Sequence, residues 1–160
     1  MKKFLLTFLF FAIATFIILC FCAPHFEALA ADIPAITEPC GMTAEELEAE
    51  LKGDLKPYAK AFLYAEEDYE INACFLASVA ALESGWGQNQ FKKNNIFGFG
   101  NTQFESVEKC IDFVAWFLRK NYINETGRYY NGATIKGISV CYCDDEWADL
   151  VSGIYRGFYY

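Results

Sequence analysis

From Ile71 to Leu82 the chain carries no charge, and Glu83 closes the run. The segment reads Ile71-Asn72-Ala73-Cys74-Phe75-Leu76-Ala77-Ser78-Val79-Ala80-Ala81-Leu82-Glu83, with Ser84-Gly85-Trp86-Gly87 following at once. A helix that is apolar on every side has no face for water and must lie inside a domain. Asn72 suits its N-cap and Gly85 its end. The remaining elements must therefore supply apolar faces to cover it. The same burial acts on Glu83. A carboxylate in the last turn of a core helix is costly in its ionised form, so its pKa should rise. A carboxylic acid still protonated near neutral pH is suited to general acid catalysis. Because the helix ends at a glycine, Glu83 can open onto a cleft.

The covering elements can be read from caps and periodicity. Thr43 followed by Glu46 is a capping box, so a helix is expected from Ala44 to about Leu51. Gly53 breaks it. Pro57 suits the first turn of a second helix through about Glu66, with Tyr58, Ala61, Phe62 and Ala65 as its apolar face. Phe91 to Gln103, containing Asn94-Asn95 and, counting back to Gly87, three glycines, reads as a loop. Ser106 can cap a long helix from Val107 to about Tyr122, with an apolar stripe of Val107, Cys110, Ile111, Val114, Phe117 and Leu118. Asn124 to Gly137 is turn-rich, with a short ordered piece around Thr134. Asp144, Asp145 and Glu146 place negative charge at the start of a last helix, where the backbone dipole favours it. Trp147, Leu150, Val151 and Ile154 are its expected core face. No stretch alternates at a period of two, so the fold should be mainly α.

The chain has 160 residues, and its start differs from the rest. Lys2 and Lys3 precede an unbroken apolar stretch from Phe4 to Cys22, and Ala28-Leu29-Ala30 is an acceptable cleavage site. Residues 1–30 are expected to be a signal peptide or an N-terminal membrane anchor, and sequence leaves both open. An apolar stretch of about 19 residues is long for a signal and just enough to span a bilayer. Residues 31–42, with Pro34 and Pro39, read as an extended linker, and residues 43–160 as one domain. Either reading of the leader makes this an exported protein, secreted or held at the outer face of the cytoplasmic membrane.

The net charge of −8 argues against nucleic acid and anionic lipid as partners. The only histidine, His25, falls in the leader, which excludes Ser-His and Cys-His hydrolase chemistry and a histidine metal site in this chain. No cofactor and no metal are expected, and the domain should be a monomer. Five cysteines follow the leader: Cys40, Cys74, Cys110, Cys141 and Cys143. Outside the cell disulfides are permitted, and an odd number leaves at least one free thiol. Cys74 and Cys110 read as small core residues, while Cys141 and Cys143 are too closely spaced for an easy mutual bond.

Without histidine, hydrolysis points to carboxylate chemistry. Glycosidic cleavage needs a proton for the leaving oxygen, and either a second carboxylate or help from the substrate. Glu83 is the candidate donor. Trp86, Asn94, Asn95 and Phe97, with Phe99 and Phe104, offer ring faces and amides of the kind sugars bind.

Ala81-Leu82-Glu83-Ser84-Gly85-Trp86-Gly87, followed by Asn94-Asn95-Ile96-Phe97-Gly98, resembles the glucosaminidase family of bacterial autolysins, glycoside hydrolase family 73. Tyr130-Asn131-Gly132 and Val140-Cys141-Tyr142-Cys143-Asp144-Asp145 with Trp147-Ala148 resemble the family's closing segment. The resemblance covers about residues 43 to 155. It implies a lysozyme-like helical domain that cleaves the β-1,4 bond after N-acetylglucosamine in a peptidoglycan glycan strand. It makes Glu83 the general acid and puts Tyr142 close to the cleft, with Trp86, Asn94, Asn95, Phe97 and Tyr130 as substrate-binding residues. One departure stands out. Many members carry a β-lobe bearing a second acid after the Asn-x-Phe-Gly motif, and only Phe99 to Glu105 is available here. The β-lobe should be reduced or absent. Either Glu105 acts at a distance through water, or the substrate's acetamide is the nucleophile. A muramidase or lytic transglycosylase on a similar fold, and a glycan-binding module without catalysis, are the rival readings.

Overall fold

The computed structural model describes residues 33–160. The signal or anchor expected at residues 1–30 lies outside the described residues. Among the described residues no helix is long and apolar enough to cross a membrane.

Residues 34–160 fold as one helical unit without a β-strand among the described residues. Helix α1 spans Ala44–Glu50, a 3-10 helix Gly53–Tyr58, and α2 Ala59–Tyr69. Helix α3 spans Ala73–Ser84 and α4 Val107–Leu118, which widens into a π-turn at Arg119–Ile123. Helix α5 spans Ile135–Tyr142 and α6 Asp145–Arg156.

Helix α3 is the core element that its composition demands, and every residue from Ala73 to Ala81 is buried. It packs on α2 and α6, and α2 packs in turn on α4. Phe75 meets the edge of Tyr155 from α6, with ring centroids 6.4 Å apart. Tyr69 Oη donates to Asp112 Oδ1 at 2.7 Å, joining α2 to α4.

Local chemistry sets both ends of α3. Asn72 accepts from the Phe75 N–H at 3.0 Å, and its amide donates to the Glu38 carbonyl at 2.9 Å. Gly85 takes φ +56, the left-handed conformation that ends a helix at little cost. The Ser84 hydroxyl donates to the Ala80 carbonyl at 2.6 Å and accepts from the Gly87 N–H at 2.9 Å. The chain is thereby turned sharply, and Leu82 and Glu83 are left at the edge of the core, half-buried.

The capping box of α1 is present in both directions between Thr43 and Glu46. Ser106 caps α4 and Asp144 caps α6 through side-chain bonds to Lys109 N and Trp147 N. Four expectations need correction. Residues 31–42 are not an extended linker from Pro34 onward. Ile36 and Cys40 are buried, the Ile36 carbonyl accepts from Asn72 N, and the Pro34 carbonyl accepts from Tyr155 Oη. Apolar side chains next to the prolines found core surface, which composition could not foresee. Pro57 sits in the 3-10 helix before α2, and α2 continues to Tyr69. The short ordered piece around Thr134 is a full helix, α5, capped by the Thr134 hydroxyl on Gly137 N. Gly137 and the β-branched Ile135, Ile138 and Val140 are weak helix formers, so packing on α6 decides the matter. In α6, Leu150 is 50% exposed, and the buried stripe is Trp147, Ala148, Val151 and Tyr155. A spacing of four sets that stripe and leaves Leu150 off it.

Candidate active site

Glu83 emerges from the core end of α3 with its two oxygens in different surroundings. Oε1 accepts a hydrogen bond from Trp147 Nε1 at 2.9 Å. Oε2 faces Gly98, where an added Cβ would lie 3.5 Å away. Burial pushes the Glu83 carboxyl above its ordinary range, and the Trp147 bond opposes that by favouring the charged form. No second carboxylate contributes to the shift. One oxygen is thus anchored, while a glycine at φ +61 keeps the approach to the other free of side chain.

Trp147 reaches Glu83 because Asp144 starts α6 one turn earlier, its Oδ1 accepting from Trp147 N at 2.8 Å. The Trp147 ring lies against Tyr142, centroids 4.9 Å apart, and Tyr142 meets the edge of Tyr122 at 5.8 Å. The Tyr142 hydroxyl is pushed well above the usual phenol range, first by burial and then by the negative charge of Glu83. Tyr142 is therefore a neutral phenol that feels the Glu83 carboxylate. From Tyr122 the aromatic contacts continue through Phe117 to Phe113 and Trp116 on α4 and to Phe99 in the loop before it.

The two asparagines hold the loop that carries Gly98. Asn95 is 1% exposed. Its Oδ1 accepts from Phe99 N at 2.9 Å, and its Nδ2 donates to the carbonyls of Phe99 and Thr102 at 3.2 and 3.0 Å. Asn94 takes φ +58, and its Nδ2 donates to the carbonyls of Phe104 and Glu105. Phe97 is buried beneath the same loop.

Of the residues singled out from sequence, Glu83 and Tyr142 share one environment. Trp86 stands at the turn after α3 at φ +62, its ring beside Phe158 and Lys52 Nζ, its carbonyl accepting from Asp54 N. Tyr130 is half-buried in the turns before α5. Glu105 is exposed just ahead of the α4 cap and is tied to the loop through its backbone carbonyl. Sequence placed Trp147 on a core face and gave it no part in the site. Its position after an acidic helix start was visible, but its partner lies 64 residues away. A separate cavity of about 360 Å³ lies between α2 and the start of α4, lined by Tyr58, Tyr64, Asp68, Lys109 and Asp112 among others, and Glu83 does not line it. Among the described residues no group of histidine, cysteine, aspartate or glutamate side chains could hold a metal ion.

The family model described as mannosyl-glycoprotein endo-beta-N-acetylglucosaminidase matches residues 59–159. Two Streptococcus pneumoniae proteins described as endo-beta-N-acetylglucosaminidases are each 30% identical over 152 residues, covering 81% of this chain. The chain spans only 23% and 22% of the length of those relatives. The crystal structure of S. aureus autolysin E with the muropeptide NAM-L-Ala-D-iGlu aligns at a TM-score of 0.63 and 27% identity, covering 80% of this chain and 71% of that one. A catalytic glutamate-to-alanine mutant of the same autolysin, bound to the disaccharide NAG-NAM, aligns at 0.60 and 26% identity, with the same coverage.

Proposed function

Because this chain belongs to the glucosaminidase family, we propose that it is a peptidoglycan hydrolase that cleaves the β-1,4 bond after N-acetylglucosamine, with Glu83 as general acid. The observation that carries the reading is the Glu83 carboxyl itself. Burial raises its pKa, Trp147 fixes one oxygen, and Gly98 leaves the other approachable. The relatives named for this activity and the autolysin structures holding wall fragments supply the substrate class.

The mechanism follows from one well-placed acid. Glu83 gives its proton to the leaving glycosidic oxygen. Among the described residues no second carboxylate bears on Glu83, and Glu105 is exposed. The carbonyl oxygen of the substrate's own acetamide then serves as nucleophile at the anomeric carbon, forming an oxazoline. The Glu83 carboxylate takes a proton from the water that opens this ring, which regenerates the acid. Tyr142 is the neutral phenol beside this charge. Two displacements at one carbon retain its configuration. The polymer lies outside the cytoplasm, so the reading also places the chain there, exported or anchored by residues 1–30.

Mass spectrometry of digested cell wall tests the bond. New reducing-end N-acetylglucosamine is expected, and reducing-end or anhydro N-acetylmuramic acid would overturn the assignment. NMR of the first product formed tests the nucleophile. The β-anomer is expected, and the α-anomer would transfer the second step to Glu105 and water.

Trp147→Phe keeps the ring and removes the Nε1 donor. That bond favours ionised Glu83, so its loss should raise the Glu83 pKa further. A general acid works while protonated, so the alkaline limb of the kcat/KM profile should move to higher pH. A shift to lower pH would show that the bond does not act on the catalytic proton.

A further inference from the structure

We propose that Cys40 and Cys74 form a structural disulfide in the folded protein, stapling the segment ahead of α1 to the first turn of α3. The geometry is set by a third residue. Glu66 Oε2 accepts from Cys40 N at 2.8 Å and from Ala73 N at 2.7 Å, so one oxygen holds the two backbones side by side. Both sulfurs also meet Met42. Its N–H donates to Cys40 Sγ at 3.5 Å, and Cys74 Sγ lies 3.7 Å from its Sδ. Both are free thiols in the structure, and each shifts the pKa of the other. Cys40 is 4% exposed and Cys74 fully buried, so the pair is sealed once the domain closes.

Among the described residues the other thiols offer no rival partner. Cys110 is buried on α4 against the backbone of Ile96 and Phe97. Cys141 and Cys143 are exposed, with Cys141 Sγ near Asn131 Nδ2 at 3.4 Å.

The chemistry of the pair is asymmetric. The Cys74 thiol and the Met42 N–H pull the Cys40 thiol below its ordinary pKa, while the Cys74 thiol is pushed up. The oxidant is a protein disulfide donor of an oxidising compartment, acting before the domain closes. Cys40 Sγ attacks one donor sulfur and forms a mixed disulfide, releasing the other as thiolate. Cys74, losing its proton, then attacks Cys40 Sγ and expels the donor's remaining thiolate. Two electrons pass to the donor, which takes up both protons and leaves as a dithiol.

Peptide mapping of the full chain tests this. The chain is produced by export from a bacterial host, equilibrated in an oxidised and reduced glutathione buffer, alkylated in denaturant and digested without reductant. A peptide bearing Cys40 linked to one bearing Cys74, with Cys110 alkylated, is expected. Cys40 and Cys74 both alkylated, or either linked elsewhere, would overturn the proposal. Reductant should lower the Tm of the wild type by roughly 10 °C. The Cys40→Ala and Cys74→Ala variants should start at that lower Tm and not respond to reductant. A wild-type Tm unmoved by reductant also overturns the staple, and that result needs no variant to fold.

Discussion

Glu83→Gln is expected to lower lysis of purified cell wall by roughly 10³-fold, the scale of a lost general acid, while leaving wall binding intact. Gln keeps the shape, and its amide oxygen can still accept from Trp147 Nε1, but it has no proton to give. Activity close to wild type in a turbidity assay would remove Glu83 from the mechanism. Wild type and variant that both bind wall and both fail to cut it would make the domain a glycan-binding module.

The same substitution should stabilise the fold, with a definite pH dependence. The folded Glu83 carboxyl sits above its ordinary value of 4.5, mainly through burial. Below that value the folded and unfolded chains both hold the proton, and nothing is lost. As pH rises, the unfolded chain releases its proton first, so stability falls until pH passes the folded pKa. Gln does not titrate. The Tm of Glu83→Gln relative to wild type should therefore be greater at pH 7 than near pH 4. A difference that shrinks with rising pH would mean that the folded site favours the carboxylate.

Asn95→Ala is the second large effect, and it falls on the fold first. The side chain is 1% exposed and makes three bonds, one from Phe99 N and two to the carbonyls of Phe99 and Thr102. Alanine removes all three bonds, and of the Phe99 groups only the carbonyl keeps a partner, the Thr102 N–H. At about 0.5–1.5 kcal/mol net for each lost hydrogen bond, a loss of about 3 kcal/mol is expected, with Tm falling by roughly 10 °C. Gly98 rides on this loop opposite Glu83 Oε2, so activity should fall at temperatures where the variant is still folded. An unchanged Tm with a raised KM would instead assign the Asn95 amide to the sugar.

Elements whose signals are local could be read before the structure was known. The Thr43–Glu46 box, the Asn72 cap, the Ser106 cap and the acidic start of α6 each depend on residues three or four apart. Of helix α5 only a short ordered piece around Thr134 is legible, because its own residues disfavour a helix and its stability comes from α6 and the Thr134 cap. Leu150 was misplaced because apolar spacing marks a stripe without fixing its centre. The asparagine pair was legible as a motif, but its hydrogen bonds were not. An amide inside a loop can serve backbone or ligand equally well, and only the path of the chain decides.

The run from Ile71 to Leu82 determined by itself that α3 would be buried and that Glu83 would stand where burial raises its pKa. That conclusion needs only an apolar cylinder and a charge at its end. The tertiary structure alone decided what Glu83 meets. Trp147 comes from another helix 64 residues on, Gly98 from a loop, and Tyr142 from the end of a helix that sequence shows only as a short ordered piece. Periodicity reports which face of an element is apolar. Hydrogen-bond direction, the charge that a neighbour feels and the space left for a substrate depend on separations through space, and those exist only once the helices have packed.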